Sequence, residues 1–208
     1  MTRVLLIQAS PRGAKSISTQ VAQSHLAALT KQSAVEVDLL DVWKEPLPEF
    51  GGHSIDAKYA GLAGHELTAA QREAWAAIEK LGQRFAAADV LLFSVPMWNF
   101  GIPYRLKHLI DLVTQKDVLF RFNSSGFSGM LKKQSAVIVC ARGLGYDDGS
   151  GLTEKQFDYQ RSYLIEWLNF VGVNDIQTIR VERTLLGNDA CDASISEGTA
   201  QAEAMAVR

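Results

Sequence analysis

Cysteine and histidine are scarce in this chain and an excess of charge of either sign is missing, and each lack excludes a class of protein. The two cysteines, Cys140 and Cys191, lie far apart, with no CxxC and no Cys/His ligand spacing. A zinc site is therefore disfavoured, and no metal site is expected. Cys140 sits in an apolar run and reads as a reduced core residue. The four histidines, His25, His53, His65 and His108, are scattered and do not fit a two-ligand metal face. Twenty-one Lys and Arg stand against 23 Asp and Glu, a net charge of −2, with no basic cluster. Nucleic-acid binding is disfavoured on that ground. The same balance denies the chain the charge steering of a dedicated electron carrier. No apolar stretch approaches the roughly 18 residues of a membrane span. The opening MTRVLLIQAS is too short and too strand-like for a signal peptide, so a cytoplasmic location is expected. Also missing are G-x-x-x-x-G-K and G-x-G-x-x-G, since Gly13 stands alone in the first loop. A nucleoside triphosphate and a Rossmann-bound dinucleotide are thereby disfavoured. No serine, cysteine or carboxylate pair shows nucleophile–base spacing.

What is present is an alternation of two hydrophobic periods. Short apolar runs at 4–8 (VLLIQ), 90–95 (VLLFSV), 136–141 (AVIVCA) and 176–181 read as buried strands, with a half-polar strand at 35–40. Helical periodicity fills the gaps: from Ile17 through Val21, Leu26 and Leu29, and from Thr68 to about Ala87 with Trp75, Ile78, Leu81 and Phe85 on one face. Thr68 and Gln71 form a capping-box pattern. Pro103 opens a third helix carrying Leu106, Leu109, Ile110 and Val113. A long helix is expected from about Thr153 to a stop at Gly172, and a weak Ala-rich helix from 193 to 207. Residues 43–66 resist a regular reading, and 118–130 read as an irregular loop or small hairpin. The order implies an α/β fold: a doubly wound, five-stranded parallel sheet of order 2-1-3-4-5 with helices on both faces. A single domain over residues 1–208 is expected, since there is no repeat or linker.

In that order the loops after the first, third and fourth strands converge at one sheet edge, where such folds bind ligands. They are the unusual loops of this chain. The first holds Ser10, Ser16 and Ser18, hydroxyls that with the backbone N–H groups of Ile17 and Ser18 suit a phosphate monoester at a helix N-terminus. The alternative is simple capping by serine. The second, Met97-Trp98-Asn99-Phe100-Gly101, supplies flat aromatic contact and backbone amides for the polar edge of a ring system. The alternative is an aromatic plug over the sheet end. The third, Arg142-Gly143-Leu144-Gly145-Tyr146, offers N–H donors to a carbonyl or ring nitrogen. Tyr146 is a candidate phenolic donor or cover, or a surface residue on a turn.

The blocks VLLIQASPRGAKSIS, PMWNFGIPYRLKHLIDLV, FRFNSSGFSG and ARGLGYDDG together resemble the FMN-dependent NADH:azoreductase family, flavodoxin-like quinone and azo-dye reductases. The resemblance spans nearly the whole chain. It implies a homodimer with one FMN per chain and two sites at the interface. It implies Ser10 and Ser16 to Ser18 on the phosphate, Met97 to Gly101 along the flavin, and Ala141, Arg142, Gly143 and Leu144 by the ring. It also implies Phe122 and Trp167 in the substrate pocket with Tyr146. The implied activity is ping-pong hydride transfer from NADH or NADPH to quinones and azo compounds. This chain departs from the family pattern in reading A-R-G-L for S-R-G-G, in Trp98 where tyrosine is common, and in Tyr146 where some members carry histidine. The competing readings are a flavodoxin-type electron-transfer module and a non-flavin binding or hydrolytic α/β protein. The excess aromatic surface expected on two helices, including Tyr159, Tyr163, Trp167 and Phe170, points to a partner.

Overall fold

A computed structural model describes residues 1–146, 149 and 151–206. Asp147 and Asp148, in the third loop, lie outside the described residues.

The apolar runs pair as expected. Strands β1 (Thr2–Gln8), β2 (Val35–Asp41), β3 (Val90–Pro96), β6 (Ser135–Ala141) and β7 (Asp175–Val181) form one parallel sheet in the order β2-β1-β3-β6-β7. The remaining strands, β4 (Phe120–Asn123) and β5 (Gly126–Gly129), make an antiparallel hairpin of their own. Near-continuous apolar strands arise because both faces of the sheet are covered. Alternate side chains divide between two cores. Leu5, Ile7, Leu91, Phe93, Val95, Ile138 and Cys140 face α3 (Ala69–Ala87), α4 (Tyr104–Val113) and α6 (Tyr159–Val171). Val4, Leu6, Leu92, Val137, Val139 and Ala141 face α1 (Ile17–Thr30) and α7 (Asn188–Ala206). Burying each such Leu or Ile contributes roughly 1.5–3 kcal/mol.

The capping box at Thr68 forms, with Gln71 N–H donating to the threonine hydroxyl and Thr68 N–H to the Gln71 side chain. Three expectations change and one open alternative resolves. The stretch 43–66 contains helix α2 (His53–Leu62). Its glycines obscured it, yet one stands at the N-cap and another in the last turn, where breaking the period does not end the helix. The region 118–130 is the hairpin. The long helix breaks at Asp158 into a short α5 (Glu154–Phe157) and α6, because the Asp158 carboxylate accepts the Arg161 N–H as an N-cap. The last helix begins at Asn188 rather than 193.

Gly129 and Gly172 fit where nothing larger does. A Cβ at Gly129 would sit 2.2 Å from the Gly172 nitrogen, and Gly172 closes α6 with φ +107°. The hairpin thus rests directly on the end of α6, and Leu131 N–H donates to Val171 C=O at 2.8 Å.

Candidate functional site

The sheet register brings the three loops together. Gln8 is level with Ser94 and Ala9 N–H donates to Ser94 C=O; Pro96 is level with Ala141 and Met97 N–H donates to Ala141 C=O at 2.7 Å. All three loops leave the C-terminal edge of adjacent strands, with β3 in the middle.

In the first loop Ser10, Ser16 and Ser18 are buried. Ser16 is the N-cap of α1, but its hydroxyl makes no capping bond. Instead it shares a hydrogen bond with the Ser18 hydroxyl at 3.1 Å. One of those two protons is committed and the other is available. The N–H groups of Ile17, Ser18 and Thr19 meet no acceptor among the described residues. Simple capping by serine is therefore not what these hydroxyls do. Uncommitted hydroxyls beside three free N–H groups suit a dianionic oxygen cluster. Thr19 ties this turn to β3 through the Ser94 hydroxyl at 3.3 Å.

The second loop is a two-residue reversal. Trp98 and Gly101 exchange both backbone hydrogen bonds, at 3.0 and 2.9 Å, across Asn99 (φ +47°) and Phe100 (φ +70°). Both central residues occupy the left-handed region, the signature of a type I′ turn. Left-handed geometry in two non-glycine residues costs about 1–2 kcal/mol each, so the surroundings must hold it. They do. Tyr159 N–H donates to Phe100 C=O at 3.0 Å, and the Phe100 ring packs on Phe157 at 5.1 Å between centroids. The Trp98 ring, 37% exposed, lies against Trp43 (5.6 Å) and Tyr104 (6.3 Å). Asn99 keeps an exposed side chain.

Trp43 is a residue that sequence reasoning missed. Its indole N–H donates to Ala9 C=O at 3.0 Å, and its ring meets Tyr104 edge-on at 5.2 Å. It links the first loop to the second. The available signal was its place just after β2, at the same sheet edge.

The third loop differs from expectation at Arg142. This side chain does not face a ligand: it is 5% exposed and pairs with Asp158 at 3.0 Å and with Glu182. Its N–H is committed to Val181 C=O, and its carbonyl accepts from Thr184. The expectation of Arg142 as a cofactor contact is corrected to an internal brace. Ala141 is buried and its carbonyl is taken by Met97 N–H. Gly143 and Leu144 N–H groups meet no acceptor among the described residues, and the Leu144 side chain is exposed. A Cβ at Gly143 would lie 2.5 Å from Leu185 Cδ1. Tyr146 lies over Arg142, guanidinium carbon to ring centroid 3.9 Å, and its hydroxyl donates to Met97 Sδ at 3.7 Å. Burial, then the Asp158 charge, raises the Tyr146 phenol above its ordinary value, so it holds its proton at neutral pH.

Two substrate-pocket expectations fare differently. Trp167 is 6% exposed, its ring edge-on to Phe85 and Phe93 at 6.1 Å and its indole N–H bound to the Thr114 hydroxyl at 2.8 Å. It is a core residue, and its expected place in a pocket is corrected. The pocket placement came from the family resemblance, whereas the helical period by itself puts Trp167 on the buried face of α6. Phe122 is 52% exposed on the hairpin, stacked on Phe127 at 4.5 Å, and lines a cavity of about 400 Å³ with Trp75, Leu62 and Phe120. That cavity contains none of the three loops. Beside the second loop lies an open groove of about 860 Å³ lined by Phe50, Gly101, Ile102, Tyr104, His108 and Tyr163. Burial pushes the Cys140 thiol up to about 12, leaving it inert. Among the described residues no cluster of His, Cys, Asp and Glu suits a metal ion.

Comparison with known proteins agrees with this geometry. The model of the flavodoxin-like fold matches residues 2–206. An FMN-dependent NADH:quinone oxidoreductase of Burkholderia lata is 48% identical over 197 residues, 93% of this chain and 94% of that protein. One of Pseudomonas fluorescens is 42% identical over 208 residues, 99% of this chain and 96% of that one. The crystal structure of an azoreductase from Bacillus anthracis superposes with a TM-score of 0.87 at 26% identity, covering 99% of both chains. With near-complete coverage on every count, the chain belongs to the flavodoxin-like family of FMN-dependent NADH:quinone oxidoreductases.

Proposed function

We propose that this protein uses bound FMN to reduce quinones, and to cleave aromatic azo compounds, at the expense of NADH or NADPH. The observation that carries the reading is the serine pair at the start of α1, not engaged in capping, over three N–H groups that meet no acceptor among the described residues, beside a turn that presents aromatic and amide groups. Ser10, Ser16, Ile17 and Ser18 would hold the phosphate. Met97 to Gly101 would flank the ring system, and the Gly143 and Leu144 N–H groups would face its polar edge. Bound FMN would supply the two-electron hydride chemistry linking the nicotinamide to the acceptor. The chain supplies position and electrostatics. Its N–H groups favour negative charge at the ring's polar edge without reorganising. Its aromatic surroundings exclude water and favour flat reactants. The balance for a quinone is one NADH and one proton. An azo bond requires two NADH and two protons to yield two amines.

A homodimer is part of this proposal. The groove beside Gly101 and the exposed hairpin, with Phe122 and Phe127 at 52% and 63% exposure, form apolar surface beside and beyond the site. In such a dimer the partner's Phe122 would reach the substrate, which explains why this chain's own Phe122 stands apart from its loops. Light scattering should give about twice the chain mass; a monomer removes the composite site. The use of reduced nicotinamide also favours a cytoplasmic location, and no described helix is long and apolar enough to cross a membrane. One-electron service to a protein partner is not favoured, given the near-balanced charge.

The test is the absorption spectrum. The purified protein, reconstituted with FMN if colourless, should be yellow, bleach with NADH under anaerobic conditions and recover its colour with a quinone. No FMN uptake would overturn the proposal.

A further inference from the structure

The brace behind the third loop has a geometry that the proposed reaction alone does not require. Arg142 is held from two sides, by Asp158 at the head of α6 and by Glu182 after β7. Its guanidinium is the platform on which the Tyr146 ring lies, at 3.9 Å. From there the phenol reaches across to Met97 Sδ in the second loop. Tyr146 thus spans the gap between the second and third loops. The residues flanking Asp158 fix the other bank of that gap: Tyr159 N–H holds Phe100 C=O, and the Gln160 side-chain amide holds Val95 C=O at 2.9 Å. Both banks are therefore set from the N-terminus of one helix, and the ring bridges them.

We propose that Tyr146 is a specificity-determining wall of the acceptor site, limiting the size of acceptor admitted, and that Arg142 is a positioning residue acting through it. The proposal rests on the FMN-dependent reading above. A planar guanidinium can pair with two carboxylates and stack under a ring at once, whereas an ammonium cannot. Arg142→Lys therefore keeps Asp158 and Glu182 compensated while releasing the ring. Tyr146→Ala removes the wall without touching the ion pairs, and Tyr146→Phe removes only the hydroxyl–sulfur bond.

Two measurements on the full chain test this. In the FMN-loaded enzyme, Arg142→Lys and Tyr146→Ala should each raise kcat/KM for a two-ring azo compound about fivefold, through KM. The ratio of that value to kcat/KM for 1,4-benzoquinone should rise about fivefold in both variants, and Tyr146→Phe should keep the wild-type ratio. Arg142→Lys/Tyr146→Ala should do no more than Tyr146→Ala alone, since both act on one wall. In the FMN-free chain, hydrogen peroxide should oxidise Met97 about threefold faster in Arg142→Lys and Tyr146→Ala than in wild type, read by mass spectrometry of the Met97 peptide. The proposal is overturned if Arg142→Lys leaves both readouts at wild-type values, if the two substitutions multiply, or if both acceptors change alike. A wild-type chain that neither binds FMN nor oxidises NADH overturns the underlying reading as well, and the peroxide measurement separates that failure from a misplaced ring.

Discussion

Asn99 and Phe100 adopt positive φ side by side, and their surroundings hold them there. Asparagine tolerates the left-handed region and a β-branched residue does not. Asn99→Val should therefore destabilise the protein by about 1–2 kcal/mol in urea unfolding, while Asn99→Gly stays near neutral. At the first loop, the Ser16 hydroxyl does not cap α1, so its loss should not weaken the helix. Ser16→Ala/Ser18→Ala should retain its melting temperature and lose FMN affinity roughly 10- to 100-fold by fluorescence titration, the value of one or two hydrogen bonds to a charged group. An unchanged affinity would remove the serines from the phosphate site. The serines and the aromatic turn were legible in the sequence because their chemistry is local. The role of Arg142 was not, since its carboxylate partners come 16 and 40 residues later in the chain. The pocket role of Trp167 was taken from the resemblance, and it fails here because Phe85 and Phe93 arrive from other elements to enclose the ring.

Among the elements, α6 carries the most information that periodicity concealed. An apolar face continuing from Phe157 to Val171 reads as one helix, and only the Asp158 cap divides it. The central strands were legible to within two residues because burial on both faces leaves mostly apolar side chains, the edge strand β2 by its alternation of Val35, Val37 and Leu39 with acidic residues, whereas α2 was hidden by its glycines. The approach of the hairpin to α6 sets a strict limit. A methyl at Gly129 would meet Gly172 backbone at 2.2 Å, with no flexible side chain to move aside. Gly129→Ala should cost several kcal/mol, about the scale of an overpacked core at its upper end, and should lower the thermal midpoint sharply. The packing of α1 on α7 carries its own pH dependence. His25 is buried, its Nδ1–H donating to Ala202 C=O at 2.7 Å, and burial lowers its pKa below the ordinary 6.5. A depressed value means that the folded state resists protonation. Its contribution is complete above pH 6.5 and is lost as the pH falls through the lower folded value. Thermal stability should decline as the pH falls below 6.5 toward the lowered folded value, and His25→Gln should flatten part of that slope.

For the whole molecule, the sheet divides the interior into unequal halves. The face under α3, α4 and α6 contains the large aromatics Phe85, Phe93 and Trp167, while the face under α1 and α7 is closed largely by smaller groups such as Ala22, Gly198 and Ala202. The doubly wound order was legible because alternating periods leave few ways to connect parallel strands. The proposed association of two copies has its local signal in surplus aromatic surface, such as Phe122 and Phe127 on the hairpin.

The two carbonyls at the start of the third loop are held by Thr184 and Leu185, in the segment leading into α7. α7 is the last described helix, and it packs through small side chains on the weaker face. Sub-global opening begins where few apolar contacts oppose it. The amides of α7 and those following Arg142 should therefore exchange with deuterium as a single cooperative unit, well before the amides of β3. Loosening of α7 would then reach the third loop without passing through the central sheet.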